Sequence, residues 1–188
     1  MRLKGRDEVL RRENSFEQGS LKREGVIKMT RGARILLDNV CYHILNRGNH
    51  KQNIFLEESD FGKYLQLLKH YKKKYAFKLF GYCLMPNHIH LILEPRQPDN
   101  LAKFMQGLTQ AYTAWFNKKY RKAGRLWQGR FKSMVVGKDD YFIECIYYIE
   151  TNPVRAALAL SPADYHWSSY RERTFGSENR LLDLPDST

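Results

Sequence analysis

The hydrophobic pattern of this chain predicts an α+β fold of the ferredoxin-like kind: a β-α-β-β-α-β sandwich with an antiparallel sheet, followed by one more helix. Three observations support it. Short stretches of apolar residues alternate at a period of two or run continuously for a strand's length, and two longer stretches repeat at helical spacing. Pro, Gly and Asn punctuate the junctions between them.

Taken in order, Val40, Tyr42 and Ile44 alternate with Cys41, His43 and Leu45, which predicts a first strand between Asp38 and Arg47, ended by Asn46-Arg47-Gly48-Asn49. Phe61, Tyr64, Leu65, Leu68, Tyr71 and Tyr75 then fall on one helical face, with Lys72, Lys73 and Lys74 in the last turn, where cations suit the helix dipole. Phe77 to Leu84 and His88 to Glu94 form a hairpin across Met85-Pro86-Asn87, because proline presets the turn and bars strand continuation. A second helical stripe follows at Leu101, Phe104, Met105, Leu108, Tyr112, Trp115 and Phe116. Phe131 to Val136 is a fourth strand. Asp139-Asp140 offers a cap to a helix running through Phe142, Ile146 and Ile149 towards Pro153. The organisation expected is a basic, weakly ordered arm over 1–33, one domain over 34–175 and a tail over 176–188.

Composition narrows the partners. The 188 residues carry a formal charge of +12, with 43% hydrophobic and 13% aromatic residues, enough for a real core. No apolar run spans a membrane and the first residues lack the apolar middle of a secretory signal, so a cytoplasmic protein is expected. Cys41, Cys83 and Cys145 are odd in number and far apart, and read as core thiols. From Leu101 to Lys138 there is no Asp or Glu, while Lys118, Lys119, Arg121, Lys122, Arg125 and Arg130 interleave with aromatic residues. That pattern suits phosphates with stacked bases, and Arg47 and Trp127 join it as a phosphate contact and a stacking platform. Equally, such a run describes a solvated face over core aromatics, with Trp127 buried against the final helix.

Two short constellations carry chemistry. In a strand, His88 and His90 project to the same side, about 6 to 7 Å apart, while Ile89, Leu91 and Leu93 face the other way as a core side. Converging imidazoles serve either as a partial ligand set for a divalent ion or as a structural pair. Tyr148 and Asn152, four apart, share a helix face: a phenol able to attack beside an amide oxygen able to ligate, or a core tyrosine before an Asn-Pro break.

These motifs together resemble a known family. His88-Ile89-His90, with Met85-Pro86-Asn87 before it and Leu91-Ile92-Leu93-Glu94-Pro95 after it, is similar to the His-hydrophobic-His strand of single-tyrosine HUH transposases, the IS200-like family. Tyr42-His43-Ile44, Asn46-Arg47-Gly48-Asn49, Gly124 to Phe131, Tyr148 to Ala156 and Trp167-Ser168-Ser169-Tyr170 follow in the family's order, over roughly residues 34 to 175. The set looks most like the REP-associated tyrosine transposase branch. The resemblance implies Tyr148 as nucleophile and His88, His90 and Asn152 as ligands of Mg²⁺ or Mn²⁺. It also implies single-stranded DNA with a REP-like hairpin as substrate, a covalent 5′-phosphotyrosine intermediate and strand transfer. A monomer is expected rather than a dimer. Two rivals stand beside it: a non-catalytic hairpin-binding module, and a hydrolase using His88, His90 and Glu94.

Overall fold

The computed structural model describes residues 40–137, 140–176 and 180–183. The arm over 1–33 and the capping Asp139 lie outside the described residues. Strands β1 (Cys41–Arg47), β2 (Phe77–Met85), β3 (His88–Pro95) and β4 (Lys132–Val136) form one antiparallel sheet in the order β2-β3-β1-β4. Helices α1 (Glu58–Tyr75), α2 (Asn100–Tyr120) and α3 (Asp140–Arg155) fall where the stripes place them. A short helix α4 (Tyr170–Phe175) ends the described fold. The ferredoxin-like expectation holds.

The two faces of the sheet are set by strand alternation. Tyr42, Ile44, Ile89, Leu91 and Leu93 pack in one core with Tyr64 and Leu68 of α1 and with Phe104, Leu108 and Tyr112 of α2. The opposite face carries Cys41, Cys83, Met85 and Ile92, which pack with Phe142, Cys145, Ile146 and Ile149 of α3. All three cysteines are free thiols buried there. A register shift between Leu79 and Gly81 turns Phe80 towards α3, a bulge absent from the expected pattern. Helix α3 also runs through Pro153 rather than stopping before it, so Asn152 is helical.

At the sheet's edge, β2 is covered by the C-terminal segment. Leu84 donates to Trp167 O at 2.8 Å and accepts from the Tyr165 hydroxyl at 2.7 Å. Tyr82 O accepts from Ser169 N at 2.9 Å, and Tyr82 N donates to Ser169 Oγ at 2.9 Å. Residues 180–183, read from sequence as tail, continue this cover. Leu181 and Leu182 are buried, and Asp183 brackets Leu79 with a bond at each end, 2.7 and 2.8 Å. Strand edges left bare invite foreign pairing, and this one is closed.

One polar knot joins α1 to α2. Asp60 is fully buried and accepts from Leu56 N at 2.7 Å, Glu57 N at 3.2 Å, Lys119 Nζ at 2.5 Å and the Tyr120 hydroxyl at 2.8 Å. Burial alone would raise this carboxyl, but the bonds from Lys119, Leu56, Tyr120 and Glu57 outweigh it and hold it below the ordinary carboxylate value. A group depressed in the folded state contributes fully above its unfolded value and less as pH falls through the folded one. Asp60→Asn is therefore expected to cost about 1 to 3 kcal/mol near neutral pH, because an amide at this buried position cannot accept all of these bonds and leaves Lys119 to Glu57 alone. Urea denaturation at a series of pH values should show that gap from wild type narrowing below the ordinary carboxylate range.

Candidate active site

Antiparallel register builds the site from β1, β2 and β3. His90 lies between Leu45 of β1 and Cys83 of β2, and His88 lies between Arg47 and Met85. Their rings meet edge to face with centroids 4.9 Å apart. A third imidazole joins them: His43 of β1, 2% exposed, sets its Nε2 2.9 Å from His90 Nδ1 with the rings stacked at 5.1 Å. His88 Nδ1 in turn lies 2.5 Å from Asn87 Oδ1.

Burial governs their charge. It lowers His43 to about 4 and, with the positive charge of Arg47 adding to it, His88 to about 4. His90 is pushed well below the usual imidazole value, first by burial and then by His88, His43, Arg47 and Arg155. All three rings are neutral at physiological pH, which is the form that keeps a lone pair for a ligand.

Helix α3 lays Tyr148, Asn152 and Arg155 along one stripe above this face. Arg155 stacks its guanidinium 3.9 Å from the centre of the Tyr148 ring. The same side chain donates to Tyr148 O at 2.6 Å and to Asn152 Oδ1 at 2.5 Å, so it ties the phenol and the amide to each other. Its charge reaches both His90 and Cys83. The neighbouring Tyr147 is 62% exposed and points away. On the buried side of α3, Glu150 accepts from the Ser169 hydroxyl at 2.5 Å and from Arg173 Nε at 3.1 Å, which fixes the helix to the strap on β2.

Among the described residues no three His, Cys, Asp or Glu side chains converge as a metal-binding group. A cation here would depend on an amide oxygen besides imidazoles; with His88 and His90 that oxygen would be Asn152 Oδ1, which in this structure accepts from Arg155. Two neutral nitrogens and one amide oxygen suit a divalent ion of borderline hardness such as Mn²⁺. The rival trio His88, His90 and Glu94 is not brought together: four residues of strand separate His90 from Glu94, about 13 Å.

The basic residues divide. Arg47 ends β1 beside His88, and Lys118, Arg121, Lys122, Arg125 and Arg130 are exposed or partly so at the end of α2 and in the loop after it. That loop is rooted at the same end of the sheet. Asn49 N donates to Leu126 O at 2.8 Å and Gln128 N to Arg47 O at 2.9 Å. Gly48 allows the close approach there, since a Cβ on it would lie 2.2 Å from Gln52 O. Two candidates are corrected. Lys119 is committed to Glu57 and Asp60, each at 2.5 Å, so its charge is spent within the protein. Trp127 is 8% exposed, packs near Tyr64 and Tyr112, and donates to Thr113 Oγ1 at 3.0 Å. It is a core residue of the α1 and α2 side, neither a stacking platform nor a contact of α3.

Comparison with known proteins identifies the family and supports the fold. A profile of the family described as "Transposase IS200 like" matches residues 37–152, and the chain belongs to that family. A Haemophilus influenzae protein, provisionally named a REP-associated tyrosine transposase, is 31% identical over 118 residues, which is 57% of this chain and 64% of that one. The chain thus spans a little under two thirds of that relative's length. A solved structure of a REP-associated tyrosine transposase bound to a REP hairpin is similar in fold, with a TM-score of 0.64 at 16% identity over 83% of this chain and 95% of the other. No helix among the described residues is long and apolar enough to cross a membrane.

Sequence reasoning left His43, Asn87 and Arg155 without roles. Arg155 was within reach, since it continues the helical stripe of Tyr148 and Asn152. Trp127→Ala is expected to destabilise the fold by about 3 to 5 kcal/mol, as loss of a buried aromatic does; a urea midpoint unchanged from wild type would return Trp127 to the surface.

Proposed function

We propose that this chain cleaves and rejoins single-stranded DNA beside a hairpin, with Tyr148 as the attacking group. The observation that carries the reading is a pair of neutral, adjacent imidazoles on the sheet face that packs under α3, whose Arg155 stacks on Tyr148, bonds to Asn152 and carries its charge to His90. Membership of a transposase family supports it, as does the likeness to a protein solved with a REP hairpin.

His88, His90 and Asn152 would hold Mg²⁺ or Mn²⁺, which when bound offsets the negative charge on a non-bridging phosphate oxygen. The chain's own residues do the rest. The Tyr148 hydroxyl attacks phosphorus in line, the bond from phosphorus to the 3′ oxygen breaks, and a 5′-phosphotyrosine and a free 3′-hydroxyl result. The phenol gives up its proton and the departing 3′ oxygen takes one up, so charge and atoms balance. Phenols near their ordinary pKa are poor nucleophiles at neutral pH. The Arg155 guanidinium against the Tyr148 ring favours the developing phenolate. Because the phosphoester bond is conserved on tyrosine, attack by another 3′-hydroxyl reverses the step and joins strands without ATP.

Arg47, beside His88, and Arg121, Lys122, Arg125 and Arg130, exposed on the loop tied to the end of β1, would take the phosphates of the incoming strand. The working unit proposed is a monomer.

Incubation with labelled hairpin DNA from beside the gene should give an SDS-stable protein-DNA adduct that EDTA suppresses and Tyr148→Phe abolishes. Tight binding with neither adduct nor nick would favour a non-catalytic hairpin-binding protein, and nicking that survives Tyr148→Phe would remove the tyrosine from the chemistry. Replacing Arg121, Arg125 and Arg130 together by Ala should flatten the salt dependence of binding by about 0.7 in log-log slope per lost contact, measured by anisotropy over a salt series.

A further inference from the structure

Each imidazole of the pair turns one nitrogen to a neighbour within the protein. Asn87 Oδ1, 2.5 Å from His88 Nδ1, is an amide oxygen and can only accept. His88 Nδ1 therefore carries the proton and Nε2 keeps the lone pair. The amide is oriented by its other end, where Asn87 Nδ2 donates to Lys51 O at 3.4 Å. For His90 the neighbour is His43 Nε2 at 2.9 Å from Nδ1. Of two facing ring nitrogens one donates and the other accepts. If His43 were the donor, His90 would carry its own proton on Nε2 and offer nothing to the shared face. With His90 Nδ1 as donor, its Nε2 lone pair stands beside that of His88.

We propose that His43 and Asn87 are positioning residues that hold His90 and His88 in the same Nδ1–H form, so that two adjacent Nε2 lone pairs are presented to one divalent cation. The inference rests on the metal-binding reading of this face. Partners behind a ligating histidine set both its tautomer and its ring orientation, and their loss commonly weakens metal affinity by about 10 to 100-fold. His43 suits this work because it comes from a central strand, is buried, and stacks on the ring it bonds. Asn87 sits at the β2-β3 turn, whose Pro86 O accepts from Ile54 N at 2.7 Å and whose Asn87 O accepts from Gly48 N at 2.8 Å, so its backbone is pinned as well.

The test joins two measurements on the full chain. Long-range proton–nitrogen NMR of the metal-free protein reports which nitrogen of each ring is protonated, and Mn²⁺ titration followed by EPR reports affinity. Protonated Nδ1 and bare Nε2 are expected at both His88 and His90. His43→Ala and Asn87→Ala should each weaken Mn²⁺ binding by about 10 to 100-fold. His43→Gln and Asn87→Asp should restore much of it, because their oxygens accept the same bond. Thermal melts confirm folding, and Asn87→Ala at its half-buried turn carries the affinity comparison if His43→Ala fails to fold. A proton on Nε2 of either ring, or wild-type affinity in both Ala variants, overturns the proposal. If wild type binds Mn²⁺ no better than His88→Ala/His90→Ala, the metal reading falls, and the tautomer assignment is then decided by the NMR alone.

Discussion

The structure turns on a single constraint: β3 lies inside the sheet and is covered on both faces, so its alternation admits no solvated side. Ile89, Leu91 and Leu93 satisfy one face by packing under α1 and α2. The other face holds His88, His90 and Ile92 beneath α3, where imidazoles are deprived of water. Desolvation keeps them neutral, and a neutral ring in a dry place must find a partner for each polar nitrogen or lose stability. His43 and Asn87 meet that need from within the protein. In the proposed site the nitrogens that remain would be offered to a cation.

The position of α3 therefore decides whether these groups form a site at all. It is held by an apolar seam, Phe142, Cys145, Ile146 and Ile149 against Cys41, Cys83 and Ile92, and by one buried carboxylate. Glu150 bonds to Ser169 and Arg173, both on the segment that caps the edge of β2. Burial raises that carboxyl above its ordinary value, and the bonds from Ser169 and Arg173 offset part of the rise. Edge protection and site assembly are thus done by the same residues. The three thiols share this seam because cysteine is small and apolar enough for close packing of helix on sheet; burial pushes Cys83 far above the ordinary thiol value, which removes it as a nucleophile.

What could be read from the sequence was local or periodic. The period of two placed His88 and His90 on the face opposite Ile89, and the helical stripes placed α1 closely and the start of α2, whose last turn runs on to Tyr120 beyond the stripe's end at Phe116. Partners distant in the chain could not be read. Lys119 looks like a surface base until Asp60, 59 residues earlier, is folded against it. Trp127 sits among Arg and Lys in sequence, yet its ring completes a core built from α1 and α2. His43 was visible as a strand residue, but its bond to His90 spans 47 residues and depends on strand order. Pro153 misleads in the other direction: proline ends most helices, and here the following turn is still tied back by Ala156 N to Asn152 O at 2.9 Å and by Leu158 N to Pro153 O at 2.8 Å.

In the proposed reaction, binding and chemistry would share one charge at the end of β1. Arg47 sits across from His88 in register, and its backbone carbonyl anchors the basic loop through Gln128 N. Its guanidinium helps burial to keep His88 neutral in the absence of DNA. In the proposed reaction a phosphate drawn to Arg47 would balance that charge, so the field on His88 would change as substrate arrives. Rooting the loop by backbone bonds and by the buried Leu126 and Trp127 leaves Arg121, Arg125 and Arg130 on the surface, where in the proposed reaction they would follow a strand into a site whose inner geometry the sheet has already set.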